Sequence, residues 1–216
     1  MVPRIALPAP APCFGIDTVA TITPEFMQEI QTDPRVRFIG RYVDGLTSAE
    51  VDLIVGAQHP LGGNYFLTLF TYADELTPAP LIAKLNELAI PSGVTIWEDI
   101  ESETMNAIDL MTAINFCGKA FKTAGFDAGE YAGAGEVLTS AQLTSLVVDI
   151  YMKSCSKVLD AGNELAEPAS GYTGWQGRPN SPFKTGSKLI VDWEAIMGDY
   201  LGRLPVMVTA APTLGA

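Results

Sequence analysis

Basic residues are scarce: 13 Lys and Arg stand against 25 Asp and Glu, for a formal net charge of −12. Such a chain repels phosphate backbones and anionic lipid surfaces, which argues against nucleic-acid binding. Histidine is scarcer still. His59, in Gln58-His59-Pro60-Leu61-Gly62-Gly63, is the sole one, and there is no Gly-x-Ser-x-Gly elbow to pair with it. A Ser-His-Asp triad and a histidine metal centre are therefore not expected, and His59 is read as structural or surface. The three cysteines, Cys13, Cys117 and Cys155, are odd in number and far apart. They suit neither a disulfide framework nor a zinc knuckle, and buried free thiols are expected. No apolar run approaches the roughly 18 residues of a bilayer span, and the N-terminus lacks the charged start and apolar core of a signal peptide. The expectation is a protein made in the cytoplasm, without membrane insertion, and either released by lysis or carried in a virion. A glycine-rich phosphate loop is also missing. CFGIDTV follows the arm at the start of the chain, and Gly133-Ala134-Gly135 is not followed by Lys-Ser/Thr, so no nucleotide, other organic cofactor or metal is expected.

Hydrophobic residues make up 48% of 216 positions, enough for one sizeable core. The 15 prolines and 20 glycines are spread along the chain, so no linker divides it. Residues 1–12 read as an extended Pro/Ala-rich arm, 13–208 as one domain and 209–216 as a loose tail. Helix starts stand at Thr23-Pro24, Thr47-Ser48, Thr77-Pro78, Ser102 and Thr139, with the fourth helix closing at Gly125 and the fifth running to Gly162. Strand candidates precede them at 13–17, 36–43, 64–73, 94–101 and 126–132. Beyond the fifth helix, NELAEPASGYTGWQG and KLIVDWEAI give two or three more strands with no clear helix between the first of them. This βα rhythm predicts an α/β fold, a single (β/α)8 TIM-like barrel least regular at strands six and seven. An open doubly wound sheet is the rival, short of its usual phosphate loop.

Ligands of parallel sheets bind beyond the carboxyl ends of the strands, and acids stand at three of those ends: Asp17, the pair Asp99 and Glu101, and Asp192. Residues two apart on a strand share a face, so Trp97, Asp99 and Glu101 point one way. Ring closure would set the first and last strands side by side, bringing Asp17 and Asp192 together across from Asp99 and Glu101. Crowded carboxylates beside Trp97 raise one another's pKa, which supplies the protonated acid that glycoside cleavage needs. A D-x-E strand end is equally compatible with a solvated or ion-paired terminus. Glu98, on the opposite face, is expected under the outer helices, where it needs a partner or a bulge that re-aims it.

The ordered runs Phe14-Gly15-Ile16-Asp17, Ile96-Trp97-Glu98-Asp99-Ile100-Glu101, Gly129-Glu130-Tyr131, Trp175-Gln176 and Val191-Asp192 resemble the strand motifs of glycoside hydrolase family 25, the lysozyme-like muramidases. Phe38-Ile39-Gly40-Arg41-Tyr42 resembles still more a related group of glycoside-hydrolase-like TIM-barrel domains of unassigned function; the likeness spans roughly residues 13 to 195. It implies cleavage of the β-1,4 bond after N-acetylmuramic acid in peptidoglycan or another polysaccharide, without metal or cofactor. Glu101 then matches the general acid. Asp99 matches the residue that stabilises an intermediate formed by the substrate's acetamide, and Asp17 and Asp192 match acids that orient the sugar. Tyr42, Tyr131, Trp97, Trp175 and Gln176 would line the binding groove. Leu165-Ala166-Glu167-Pro168 stands where the family has a Trp-x-Ala motif. The alternative is a barrel that binds glycan or protein without cleaving, as a structural or virion component.

Overall fold

The computed structural model describes residues 1–72, 77–100, 105–132, 138–154, 168–177, 180–198 and 203–212. Strand β1 (Arg4–Pro8) and β2 (Cys13–Thr18) lead into α1 (Pro24–Ile30), β3 (Val36–Tyr42), α2 (Ser48–Gly56), β4 (Phe66–Tyr72) and α3 (Pro78–Glu87). Then follow β5 (Thr95–Asp99), α4 (Ala107–Thr123), β6 (Asp127–Ala132), α5 (Ser140–Thr144) and β7 (Ile150–Ser154). The chain continues through β8 (Gly174–Gln176), β9 (Ser181–Pro182), β10 (Ile190–Ile196) and β11 (Val206–Ala210).

Three of the expected helix starts are capped by their threonine side chains, whereas Thr77 precedes α3 without a side-chain cap bond. Thr23 and Thr47 accept backbone N–H bonds from Phe26 and Glu50, and Thr139 forms a reciprocal capping box with Gln142. Two boundaries differ from expectation. The fourth helix begins at Ala107, capped by Asn106 rather than Ser102, which lies outside the described residues. The fifth ends at Thr144, and the stretch expected to continue it holds β7. Ile150-Tyr151-Met152 is a short apolar run that fits a helix stripe and a buried strand equally well, and the β-branched Val147-Val148-x-Ile150 favours the strand.

Strands β2 to β8 pair in parallel succession, omitting none, and β4 also pairs β5, while β10 pairs both β8 and β2. The result is a closed barrel of eight strands: β2, β3, β4, β5, β6, β7, β8 and β10. Seven run parallel; β10 is antiparallel to both its neighbours. The barrel thus departs from an all-parallel (β/α)8 pattern, and five helices stand between its strands among the described residues. The reversal has a local cause. The 177–189 connection holds the short β9, which folds straight back onto β10 (Val191 opposite Ser181), so no helix carries the chain across to restart a parallel strand.

Side chains alternate accordingly. Phe38, Phe70, Trp97, Tyr131, Ile150, Met152 and Ile196 plug the barrel interior. Ile39, Leu67, Leu69 and Ile96 point outward onto Ile54, Leu85 and Phe121 of the helices. Gly15 is required where it stands, since a Cβ there would lie 2.4 Å from the Phe38 ring.

The arm and tail close the lower end. The arm is extended, as read from its prolines, but paired: β1 runs antiparallel to β11 from Arg4 opposite Ala210 to Pro8 opposite Val206. The expected loose tail therefore begins later than 209, since Ala211 N–H still bonds Pro3 O. β11 also pairs β4, with Val208 opposite Leu67, while Val206 N–H donates to Thr95 Oγ1 of β5 (3.0 Å) and Thr209 Oγ1 to Tyr65 O (3.0 Å). No helix of the described residues is long and apolar enough to cross a membrane.

Candidate functional site: an acidic barrel mouth

The carboxyl ends of the parallel strands and the amino end of the reversed β10 share one mouth. In the antiparallel register Asp17 of β2 stands opposite Asp192 of β10. Asp99 ends β5 across the ring, also facing inward. Glu101 lies outside the described residues. The other three expected acids do meet, and their charges act on one another: Asp192 and Asp99 both bear on Asp17.

Each acid is held by a specific donor. Tyr42 Oη–H donates to Asp99 Oδ2 at 2.6 Å, and the Tyr42 ring is stacked on Tyr72 with centroids 4.4 Å apart. Gln176 Nε2 donates to Asp192 Oδ2 at 2.7 Å, and Asn180 N–H bonds Asp192 Oδ1. Ser154 Oγ donates to Gln176 Oε1 at 3.1 Å, which fixes the amide with its NH2 toward Asp192. Asn180 takes a left-handed backbone (φ 46°), which Asn tolerates better than most residues.

A fourth carboxylate was missed. Glu194, 2% exposed, sits two residues below Asp192 on the same face, opposite Gly15 and Gln176. Because Gly15, its partner in register, has no side chain, the Glu194 carboxyl has open space toward Asp17 on the same inner face, and the two acids bear on each other. The signal was available: Asp192-x-Glu194 has the same-face spacing of Asp99-x-Glu101.

Burial, then the charges of Glu194 and Asp192, hydrogen bonding to Glu194 and the charge of Asp99, hold Asp17 well above the ordinary carboxylate range. Burial also raises Asp192, opposed by the Asn180 N–H. Burial and the charges of Asp99 and Asp17 push Tyr42 far up, so its hydroxyl stays a donor at any working pH. A cavity of about 320 Å³ opens beside these groups, lined by Asp17, Asp192 and Tyr42 together with Val19, Ile190 and Lys188. It has room for a sugar-sized ring, with both polar and apolar groups in its lining.

The expected aromatic groove is reduced. Trp97 is fully buried in the plug with Nε1 bonded to Thr68 Oγ1 at 3.0 Å, and Tyr131 lies edge-on to Phe70 at 5.7 Å. Trp175 is 41% exposed, but the face it occupies is the outer one, since its neighbours Gly174 and Gln176 point inward. Gln176 spends its amide on Asp192. Among the expected lining residues, Tyr42 alone borders the cavity.

Glu98 is buried under the outer layer, in unbroken register opposite Glu130, so no bulge re-aims it. Burial raises its pKa, and near it the Cys117 thiol is pushed up to about 12 by burial and by Glu98. Cys13 is likewise buried and free, and Cys155 lies outside the described residues. His59 is buried at the opposite end, edge-on to Tyr65, its Nδ1 accepting from Leu61 N–H at 3.1 Å. Among the described residues no group of three or more His, Cys, Asp or Glu is arranged to hold a metal ion.

No protein-family model and no curated protein matches the chain. A crystal structure of an uncharacterized B. stearothermophilus protein is similar in fold, with a TM-score of 0.61 and 16% identity over 85% of this chain and 95% of that one.

Proposed function

We propose that the protein is a glycoside hydrolase of the lysozyme-like kind, cleaving the glycan of peptidoglycan at the barrel mouth, on a divergent (β/α)8 barrel whose last strand is reversed. The observation that carries this reading is the cross-ring set of acids: Asp17 opposite Asp192, with Asp99 facing them under a Tyr42 hydrogen bond. Glycoside cleavage needs one protonated acid and one stabilising carboxylate within a sugar's reach, and this pocket favours protonated Asp17 and Asp192 by burial while Tyr42 donates to Asp99. In the proposed scheme Glu101 protonates the leaving oxygen. Asp99, oriented by Tyr42, stabilises the positive charge as the substrate acetamide attacks the anomeric carbon, and Asp17 and Asp192 seat the sugar. No metal or cofactor takes part.

The test is clearing of a peptidoglycan suspension with mass spectrometry of the released muropeptides. Glu101→Gln and Asp99→Asn should each lower turnover about 100-fold or more, the usual worth of an acid-base group. The thin aromatic lining favours a second reading, a barrel that holds glycan without cutting it. Saccharide binding by calorimetry with no product would establish that one, and neither binding nor product would end both.

A further inference from the structure

Two carboxyl groups buried side by side do not both ionise readily, because their charges repel strongly away from water and neither ion can donate to the other. Asp17 and Glu194, 7% and 2% exposed, stand in this relation: the β2–β10 register sets them at diagonal positions on the inner face with only the bare backbone of Gly15 between them. Gly40 completes the fit on the other side: a Cβ there would stand 2.6 Å from the Asp17 Cβ. We propose that Asp17 and Glu194 hold one proton between them at neutral pH, and that Glu194 is the positioning residue that sets the orientation and charge of Asp17 at the mouth. The role of the mouth rests on the glycosidase reading above; the shared proton does not.

The surroundings favour retention of that proton. From β10 comes Asp192, from β5 Asp99, from β3 and β4 the phenols Tyr42 and Tyr72, and from β7 and β8 the neutral Ser154 and Gln176. Among the described residues lining the cavity, the cation is Lys188, which is exposed. With one proton in the couple, Asp17 and Glu194 present one negative charge between them, and Asp17 keeps an edge to the cavity.

Carbon-13 NMR titration of the side-chain carboxyls, assigned by loss of each signal on substitution, tests the proposal. In the unaltered protein Asp17 and Glu194 should move together in two steps, with one proton still bound at pH 7. In Glu194→Gln the amide mimics a protonated partner and donates to Asp17, which should then titrate in a single step at least about one pH unit lower. Two ionised carboxyls at pH 7, or an Asp17 midpoint unmoved in Glu194→Gln, would overturn the shared proton. If Glu194→Gln fails to fold, the titration of the unaltered protein alone decides.

Hydrolysis gives a separate reading. Glu194→Gln should stay within about threefold of the parent turnover at pH 6, whereas Glu194→Leu, with nothing to donate, should lose at least about tenfold. A protein that shows the two-step titration but digests no wall keeps the proton couple and loses the glycosidase reading; the converse separates them the other way.

Discussion

Tyr42 is gripped by Tyr72 on one side and leans on Phe70 at 5.7 Å on another, so its hydroxyl is aimed at Asp99 Oδ2 with little freedom. Sequence reasoning assigned this ring to the sugar groove, but its main contact is the carboxylate beneath. Tyr42→Phe keeps the stack and removes only the hydrogen bond. A buried bond to a charged group is worth about 1.5–3 kcal/mol of stability, so the melting temperature should drop by several degrees, and glycan turnover should fall about 10-fold or more as Asp99 loses its aim. Steady-state kinetics beside a melting curve checks this, and an unchanged turnover would remove Tyr42 from the catalytic scheme.

Between elements, Arg41 does for the outer layer what Tyr42 does for the mouth. Its outward guanidinium, 1% exposed, bonds Glu50 Oε1 of α2 at 2.6 Å and Thr18 O of β2 at 2.6 Å, while Glu50 Oε1 also accepts Ile22 N–H at 2.8 Å. One buried ion pair thus ties β2, β3, α2 and the segment entering α1. Glu50→Ala strands the guanidinium in an apolar layer and should cost about 3–5 kcal/mol in urea unfolding. A loss below about 1 kcal/mol would mean that water reaches the site. Elements of this kind were readable where caps and period agreed, as at Thr23, Thr47 and Thr139. They were not readable at β7, because a five-residue apolar strand has no period that separates it from a helix face. Nor could β10's direction be read, since strand pattern carries no sign and only the hairpin with β9 reverses it. Asp17 and Asp192 survived that error, as closure brings them together whichever way the last strand runs. Trp175 did not: on the three-residue β8 a one-position difference in face turned it from lumen to outer surface.

At the scale of the whole molecule, the buried acids make stability depend on pH in an unusual direction. Asp17, Glu98 and Asp192 all have folded-state pKa values raised chiefly by burial, so the native state binds more protons than the unfolded chain above about pH 4. Stability from such groups is full below the unfolded value and is lost as pH rises through the folded one. Asp33 and Asp52, half-buried against Arg35 and Arg4, are shifted downward and oppose this in part, at the partly screened edge of the molecule. The melting temperature should therefore fall as pH is raised from about 5 to 8. General repulsion at a net charge of −12 gives the same sign, so salt must separate the two causes. At 1 M salt the screening length is about 3 Å, which quenches long-range repulsion and leaves the desolvation of a buried carboxyl in place. Glu98→Gln then becomes the decisive comparison, because it removes a buried acid remote from the mouth and should flatten the slope even in high salt. A melting temperature that is level or rising over this range in high salt would show that these carboxylates ionise freely in the folded protein, and the acidic core would have to be hydrated rather than dry.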